Sequence, residues 1–484
     1  MMAELSLVFS QGYIDGEWVD AKSGQQVNVV NPATGTVITQ VPDMGAEDAE
    51  SAVQSAHHAF LSWKKTSGKE RANLLRKWFE LIVSNAESLA VLLTSEQGKP
   101  YKESYGEVMY GASFIEWFGE EAKRTYGDNI PAANPNNRYM TIKQPVGVVA
   151  AITPWNFPIA MITRKVGPAL AAGCTVVVKP GEDTPLCALA LAALAEQAGI
   201  PKGVINVVTT ANPAEVGEVL CRHPLVRKVS FTGSTPVGKF ILSQTAETVK
   251  KVSMELGGNA PFIVFEDADI DKAVQGALIS KYRNAGQTCV CTNRLYIHDA
   301  IYDEFMNRYS TAVSNLVVGN GLDSETDIGP LINDRAVKKV SGLVARAIEQ
   351  GATLTLGGQV SEFGAQFYQP TILTDVTEEM EVAHQELFGP VTTVFRFTQE
   401  SDVIERANNT PYGLAAYFYT RDHSRVWRVS EALEYGIVGI NEGIISTEVA
   451  PFGGVKESGC GREGSKYGID DYLEIKYLCH GIDA

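Results

Sequence analysis

Hydrophobic residues recur at helical spacing early in the chain. Between about residues 46 and 126, apolar side chains return every three or four positions. Five of them fall on one face of a single predicted helix: Leu74, Leu75, Trp78, Phe79 and Ile82. Packing against a protein core explains nearly all of these residues. The pattern therefore predicts a helical region that precedes the strand-rich part of the chain.

The pattern changes after this region. Residues 134–137 are rich in Asn and Pro and predict a turn, and residues 138–144 are compatible with an extended arm. Residues 146–152 form a continuous apolar run, typical of a buried strand. Near the C-terminus, residues 471–479 alternate enough to predict another strand.

Short apolar, β-branched runs and helical patterns alternate from there to about residue 440. Strands are predicted at 175–178, 204–208, 226–231, 261–265, 294–297 and 391–395, and helices at 185–198, 236–244 and 336–350. Such alternation predicts parallel βαβ units with helices on both faces of a sheet. A boundary near residues 257–258 separates two α/β domains.

Composition narrows the range of functions. The chain has 484 residues, 45% hydrophobic and 20% charged, which suggests two or three globular domains. Its net charge of −16 argues against nucleic-acid partners, which need an excess of Lys and Arg. No apolar run reaches roughly 18 residues, so we expect no membrane span. Residues 1–10 lack the features of a secretory signal or transit peptide.

The cysteines point to a reducing compartment. There are seven, spread sparsely along the chain, and an odd, scattered set argues against a disulfide framework. We therefore expect a cytoplasmic protein. None of the cysteines lies in a C-x-x-C or Cys/His cluster with zinc spacing, so no metal site is predicted.

Two short motifs contain candidate catalytic side chains. Cys289 ends the sequence Gly-Gln-Thr-Cys between a helical stretch and a strand, where a thiolate nucleophile could be placed. A lone cysteine is nevertheless more often inert. Glu255 precedes two glycines, and its carboxylate could act as a general base, although an ordinary turn has the same sequence.

Three further motifs follow predicted strands. Thr-Pro-Trp-Asn-Phe-Pro at 153–158 lies where α/β sheets bind ligands, and the amide of Asn156 could donate to an oxyanion. Phe-Thr-Gly-Ser-Thr-Pro-Val-Gly at 231–238 offers a helix N-terminus to a pyrophosphate, without the G-x-G-x-x-G fingerprint. Lys179 and Glu182 could hold an adenosine ribose.

Taken together and in this order, the motifs resemble those of the aldehyde dehydrogenase superfamily over essentially the whole chain. Glu-Leu-Phe-Gly-Pro at 386–390 and Pro-Phe-Gly-Gly at 451–454 extend the resemblance. Three segments are most similar to succinate-semialdehyde dehydrogenases: Met-Ile-Thr-Arg-Lys at 161–165, Lys-Tyr-Arg-Asn-Ala-Gly-Gln-Thr-Cys-Val-Cys at 281–291, and Arg-Glu-Gly-Ser-Lys-Tyr-Gly at 462–468.

The resemblance implies an α/β fold with three parts. A Rossmann-like NAD(P)-binding domain would comprise residues 1–123 and 145–257, and an α/β catalytic domain residues 258–450. Residues 124–144 and 451–484 would form a small β oligomerisation arm and the C-terminal segment. A homodimer or homotetramer is expected.

The resemblance also implies roles for individual residues. Cys289 would attack the aldehyde carbon, the Asn156 amide and the Cys289 backbone N–H would hold the oxyanion, and Glu255 would activate the water that hydrolyses the thioester. Lys165 would either relay protons or only pair with a carboxylate. The cofactor, NAD or NADP, would contact Thr153, Trp155, Lys179, Glu182, Gly233, Ser234, Glu386 and Phe388.

Succinate semialdehyde is the substrate that the resemblance favours, with succinate as the product. Arg164 and Arg283 match residues that hold its carboxylate, and Ser446 matches a supporting hydroxyl, although either arginine could be a structural ion pair. Glutarate semialdehyde and neutral aliphatic aldehydes are the alternative substrates.

A non-catalytic cofactor-binding or structural protein on the same fold is the alternative of another class. The intact nucleophile, base and oxyanion amide argue against it.

Two expectations concern cofactor choice and regulation. Glu182 would accept a hydrogen bond from a ribose 2′-hydroxyl and repel a 2′-phosphate, which favours NAD, while Lys179 leaves some use of NADP open. Cys291 is either a small buried residue or a redox partner that forms a disulfide with oxidised Cys289. In an extended chain, Cα atoms two residues apart are roughly 6.5–7 Å from each other. That is at the edge of what a disulfide spans, so the loop would have to bend.

Overall fold

Four β-sheets organise residues 7–482, the part of the chain that the computed structural model describes. The prediction about an N-terminal signal concerns residues 1–10, and residues 1–6 lie outside the described range. The strands are β1 (Gly12–Ile14), β2 (Glu17–Val19), β3 (Gln26–Val30), β4 (Val37–Pro42), β5 (Asn129–Ile130), β6 (Asn137–Pro145), β7 (Val148–Ile152), β8 (Thr175–Lys179), β9 (Ile205–Val207), β10 (Val226–Thr232), β11 (Lys251–Glu255), β12 (Ala260–Val264), β13 (Thr292–His298), β14 (Thr353–Leu356), β15 (Thr371–Thr374), β16 (Val391–Phe397), β17 (Ala415–Tyr419), β18 (Ile437–Ile440), β19 (Gly459–Cys460) and β20 (Leu473–Gly481).

Helices flank the two larger sheets. They are α1 (Ala46–Trp63), α2 (Gly68–Ser84), α3 (Ala86–Gln97), α4 (Tyr101–Glu121), α5 (Ala160–Ala172), α6 (Leu186–Ala198), α7 (Pro213–Arg222), α8 (Thr235–Thr245), α9 (Ile270–Tyr282), α10 (Tyr302–Ser314), α11 (Asp334–Glu349), α12 (Glu381–His384), α13 (Glu400–Asn408) and α14 (His423–Ala432). No helix in residues 7–482 is both long and apolar enough to cross a membrane.

The first sheet has the strand order β19-β11-β10-β7-β8-β9-β1-β2. Its central strands, from β11 to β9, are parallel. Side chains of β7 alternate between two cores: Val149 and Ala151 pack with α5 and α6, whereas Val148 and Ala150 pack with α1 and α7. A strand with both faces covered is apolar at every position, which explains the continuous run in the sequence.

The second sheet has the order β14-β15-β16-β13-β12-β17-β18. Every pair in it is parallel except β14 with β15. Residues 256–259 join β11 of the first sheet directly to β12 of the second. The chain therefore changes sheets at the predicted glycine pair, and the two predicted βαβ regions are both present.

A third sheet pairs β6 antiparallel with both β5 and β20. The predicted arm is thus an extended strand that is hydrogen-bonded to the C-terminal strand, from Leu473 opposite Pro145 to Gly481 opposite Asn137. Strands β3 and β4 form a separate hairpin.

The helical region differs in detail from its prediction. It consists of four helices, α1 to α4, and ends at Glu121. On α2, Leu75, Trp78 and Ile82 are buried as expected, whereas Leu74 and Phe79 are only half-buried. The sequence pattern did not predict the N-terminal strands β1 to β4 or the two-residue strand β19.

Candidate active site

Three connections converge where the carboxyl edge of the first sheet faces the second sheet. The connection from β7 to α5 carries Asn156, Glu255 ends β11, and the connection from α9 to β13 carries Cys289. Asn156 Nδ2 donates to the carbonyl of Gln287, 2.9 Å away. A Cβ at Gly258 would clash with the carbonyl oxygen of Cys289. Glycine therefore permits the close approach that brings the segments together.

The loop before Cys289 is shaped by its own sequence. After α9, Asn284, Ala285 and Gly286 adopt left-handed conformations with φ of 53°, 54° and 73°. The N–H of Cys291 then donates to the carbonyl of Thr288 at 3.2 Å, so residues 288–291 form a turn. The chain at the nucleophile is therefore turned rather than extended.

Asn156 is held firmly from both sides. The residue is 3% exposed, and its backbone carbonyl accepts hydrogen bonds from Lys99 Nζ at 2.7 Å and Asn284 Nδ2 at 3.0 Å. One amide N–H is used by Gln287, which leaves a second N–H that can serve an oxyanion. Lys99 itself is buried in an ion pair with Glu107.

The electrostatics of Cys289 oppose its ionisation. Burial raises the pKa of the Cys289 thiol to about 12; Glu386 and Glu255 also raise it, whereas Arg164 and Arg283 lower it. Burial likewise raises the pKa of Glu255 well above its ordinary value, and Glu463 adds to this effect. A nucleophile in these surroundings needs a base that takes its proton.

A buried charge cluster lies beside Glu255. Arg164 and Lys165, on α5, both pair with Glu463, and all three side chains are at most 4% exposed. The Lys165 ammonium also donates to Ser230 Oγ at 3.2 Å. Lys165 lines neither of the two cavities described below, so its position matches the carboxylate-pairing alternative. One Glu255 oxygen, Oε2, is buried without a hydrogen-bond partner among residues 7–482.

Cys289 lies between two cavities and lines both. The first, of about 320 Å³, is lined by five predicted cofactor contacts: Trp155, Gly233, Ser234, Glu386 and Phe388. Asn156 lines this cavity too. Arg335 and Lys339 of α11 also line it; the sequence reasoning missed these two residues, because they resemble an ordinary solvated helix face.

The first cavity suits a dinucleotide. Ser234 precedes α8, whose first-turn N–H groups can bind a phosphate. Thr153 Oγ1 and Thr232 Oγ1 are buried without partners among the described residues, so the ends of β7 and β10 retain unused hydroxyls. Glu386 accepts the Gly258 N–H at 3.0 Å, and burial raises the pKa of its carboxyl to about 7.

The remaining predicted cofactor contacts lie outside this cavity. Thr153, Lys179 and Glu182 do not line it. Lys179 and Glu182 form an ion pair instead, in which the Glu182 side chain is 37% exposed. The carboxylate that would face a ribose is therefore already paired with a cation.

The second cavity, of about 270 Å³, brings together the predicted substrate residues Arg164, Arg283 and Ser446. The Arg164 guanidinium stacks on Phe452 at 4.6 Å, and that of Arg283 lies 5.4 Å from the ring centre of Phe157. Tyr110, Glu103 and Glu107 of α4 also line the cavity. These three residues were not predicted, because α4 follows the pattern of a packing helix.

Cys291 lines neither cavity. Its side chain is buried, with Sγ 3.3 Å from Lys281 Nζ, and its S–H donates to the Lys281 carbonyl at 3.4 Å. Burial raises the pKa of Cys291, although Lys281 lowers it. The position matches a buried packing residue, and a redox role remains a prediction.

Cys289 lies between a cavity beside a helix N-terminus that can bind phosphate and a cavity lined by arginines. This is the arrangement of a cysteine-dependent oxidoreductase. The chain belongs to the aldehyde dehydrogenase family, whose model matches residues 18–478. It is therefore an enzyme, an aldehyde dehydrogenase that uses NAD or NADP, and the non-catalytic alternative is set aside. The predicted family and fold are confirmed.

Close relatives differ in the substrates their names give. The chain is 59% identical over 476 residues to 3-sulfolactaldehyde dehydrogenase of Pseudomonas putida, covering 98% of both chains. It is 59% identical over 477 residues to the NADP(+) succinate-semialdehyde dehydrogenase of Escherichia coli K12, covering 99% of both. It is 58% identical over 480 residues to glutarate-semialdehyde dehydrogenase of Pseudomonas aeruginosa, again covering 99% of both.

A solved structure has nearly the same fold. The crystal structure of an E. coli NADP-dependent enzyme superposes with a TM-score of 0.98 at 58% sequence identity and covers 100% of both chains.

Proposed function

We propose that the chain oxidises succinate semialdehyde to succinate. One observation carries the proposal: the cavity that ends on Cys289 is lined by two arginines, and Nη2 of the buried Arg164 has no hydrogen-bond partner among residues 7–482. A buried donor without an acceptor is costly, and a carboxylate is the acceptor that guanidinium groups bind best. Succinate semialdehyde carries such a carboxylate at the end opposite its aldehyde.

In the proposed reaction, Cys289 attacks the aldehyde carbon. The thiol must first lose its proton, which the neighbouring carboxylates Glu386 and Glu255 oppose and which becomes easier as the pH rises. The Asn156 amide and the Cys289 backbone N–H stabilise the oxyanion. Residues of the first cavity, among them Ser234, Glu386 and Phe388, would hold NAD or NADP, which would supply the acceptor for the hydride lost from the thiohemiacetal carbon, so that a thioester remains on Cys289.

Glu255 then activates the water that hydrolyses the thioester. Its raised pKa makes the carboxylate a stronger base than an ordinary glutamate. Lys165 and Glu463 form an ion pair next to Glu255, so their two charges offset each other. A role of Lys165 as a proton relay is part of the proposal, and Ser230 would be the next group along the relay.

We infer that NAD is the preferred cofactor, with appreciable use of NADP. Glu182 would repel a 2′-phosphate, which favours NAD. Its ion pair with Lys179 weakens that repulsion, however, and leaves a cation close to the same position. The E. coli relative named for NADP(+) makes a measurement of both cofactors necessary.

We also propose that the β6–β20 sheet is the oligomerisation arm. Ile475 is 70% exposed, Tyr477 56% and Ile142 37%, which is unusual for apolar side chains on adjacent strands. A homodimer or homotetramer would cover them. Residues 124–144 and 451–484 would then form the arm and the C-terminal segment, apart from the cofactor and catalytic domains.

Glutarate semialdehyde is the second candidate substrate, since the relative from P. aeruginosa is named for it. Initial rates with succinate semialdehyde, glutarate semialdehyde and butanal, each with NAD and NADP, separate the candidate substrates.

Arg283→Ala should raise the KM for succinate semialdehyde at least about tenfold more than the KM for butanal. Replacement of the exposed Arg227 by Ala is the control. Equal losses for the charged and neutral substrates would reject the proposed carboxylate site.

A further inference from the structure

Tyr110 places a hydroxyl beside the two arginines of the second cavity. The residue lies on α4, its ring packs edge-on against Phe114 with centroids 4.9 Å apart, and it lines the cavity together with Arg164 and Arg283. Both guanidinium groups are close enough to lower the pKa of the hydroxyl, although burial raises it overall. The phenol therefore keeps its proton at neutral pH and remains a hydrogen-bond donor.

The Tyr110 hydroxyl has no well-aligned hydrogen-bond partner in residues 7–482. Its oxygen is buried, and the neighbouring Arg164 guanidinium is close enough to donate to it. No residue in the described range accepts the phenol hydrogen, and Arg164 Nη2 likewise lacks a well-aligned acceptor. Two adjacent buried donors of this kind indicate a ligand that accepts from both.

The carboxylates in the cavity are occupied by other groups. Glu107 binds Lys99 through Oε2 and accepts the N–H groups of Ile159 and Ala160 through Oε1. Glu103 accepts the N–H of Asn284 at 2.7 Å. These acidic residues therefore do not use the donors of Tyr110 and Arg164, which remain available to an incoming anion.

We propose that Tyr110 is a specificity-determining residue that donates a hydrogen bond to the anionic end of the substrate, beside Arg164 and Arg283. The proposal rests on the proposed function, since it requires an aldehyde with a terminal anion. A carboxylate or a sulfonate has enough lone pairs for all three groups. The hydroxyl thereby adds a third hydrogen-bond donor to the two guanidinium groups. A neutral aldehyde has no anionic group to accept from it.

Tyr110→Phe tests the proposal because it removes one oxygen and keeps the ring. The control is Tyr105→Phe on the same helix, where the side chain is 40% exposed and does not line the cavity. We expect Tyr110→Phe to lower kcat/KM for succinate semialdehyde about tenfold, mainly through KM, because a hydrogen bond to a charged group is lost. The kcat/KM for butanal and the melting temperature should stay close to those of the parent.

Arg283→Ala is measured in parallel. The comparison distinguishes a wrong role for Tyr110 from a wrong proposed function. If Arg283→Ala discriminates between the substrates and Tyr110→Phe does not, the role of Tyr110 is overturned while the anionic substrate stands. If neither variant discriminates, the proposed function itself is wrong. An equal loss for butanal and succinate semialdehyde in Tyr110→Phe means that the residue only shapes the cavity, which also overturns the inference.

Discussion

Replacing Glu255 by Gln should separate the two halves of the reaction. The two side chains have the same shape, and room to move is scarce, because a Cβ at Gly453 would lie only 2.9 Å from Glu255 Oε1. The amide therefore occupies the position of the carboxylate but cannot take a proton from water. The substitution also removes a negative charge that raises the pKa of Cys289, so ionisation of the thiol should become slightly easier.

The expected magnitude follows from the chemistry that is lost. General-base catalysis contributes about 10²–10⁴ in rate, and a tenfold change corresponds to about 1.4 kcal/mol of barrier. Thioester hydrolysis should slow by that factor, about 3–5 kcal/mol, while a single round of cofactor reduction continues. Rapid mixing with substrate should give a burst of about one reduced cofactor per active site, followed by a very slow steady state.

The surface carboxylate Glu457 provides the control. It pairs with Lys239, and its side chain is 46% exposed, so Glu457→Gln should show normal steady-state turnover and no burst. Mass spectrometry of stalled Glu255→Gln enzyme should find an acyl group on the peptide that contains Cys289. Normal steady turnover in Glu255→Gln, or a slow phase without a burst, would refute the assignment of Glu255 as the base.

Four further outcomes are expected. Cys289→Ala should abolish oxidation but leave NAD affinity nearly unchanged in a binding titration; appreciable turnover would remove Cys289 as the nucleophile. In the parent, kcat/KM should rise by up to about tenfold per pH unit from about pH 6 to 8, because the thiol pKa is raised and ionisation grows with pH; a falling profile contradicts this. Glu182→Ser should shift the ratio of kcat/KM values towards NADP, and a shift towards NAD would contradict the role of the carboxylate. Mild peroxide should inactivate the parent reversibly, and Cys291→Ala should recover less with dithiothreitol; equal recovery would make Cys291 a packing residue.

The parallel architecture was predictable because it depends on patterns that local sequence records. Strands β7 and β8 are buried on both faces, so β7 is apolar throughout and β8 has three consecutive valines, and both runs are visible in the sequence. The edge strands were not visible. β19 has two residues, and it exists because it pairs with Met254 and Glu255, about two hundred positions earlier. No local pattern encodes a pairing at that separation.

Sequence motifs identified the residues of the candidate site. They did not show which charged side chains pair with one another. The sequence motifs contained Cys289, Asn156 and the arginines of the second cavity, and the fold brings them together around Cys289. That Glu463 pairs with both Arg164 and Lys165 depends on three-dimensional packing between α5 and a C-terminal loop. The sequence therefore left open whether each cation was a ligand-binding group or a structural ion pair.

The distribution of unsatisfied polar atoms explains why these residues belong to one functional unit. Arg164 Nε and Glu463 Oε2 pair with each other. Of the eleven other buried side-chain polar atoms without a partner in residues 7–482, six belong to the site and its surroundings: those of Tyr110, Thr153, Asn156, Arg164 (Nη2), Thr232 and Glu255. Each such atom costs about 1–3 kcal/mol when it is left unpaired. Thr232, at the end of β10, lines the first cavity, whereas Tyr110 on α4 and Arg164 on α5 line the second. If the cofactor and the substrate bind as proposed, they can form hydrogen bonds with these unpaired atoms and offset that cost.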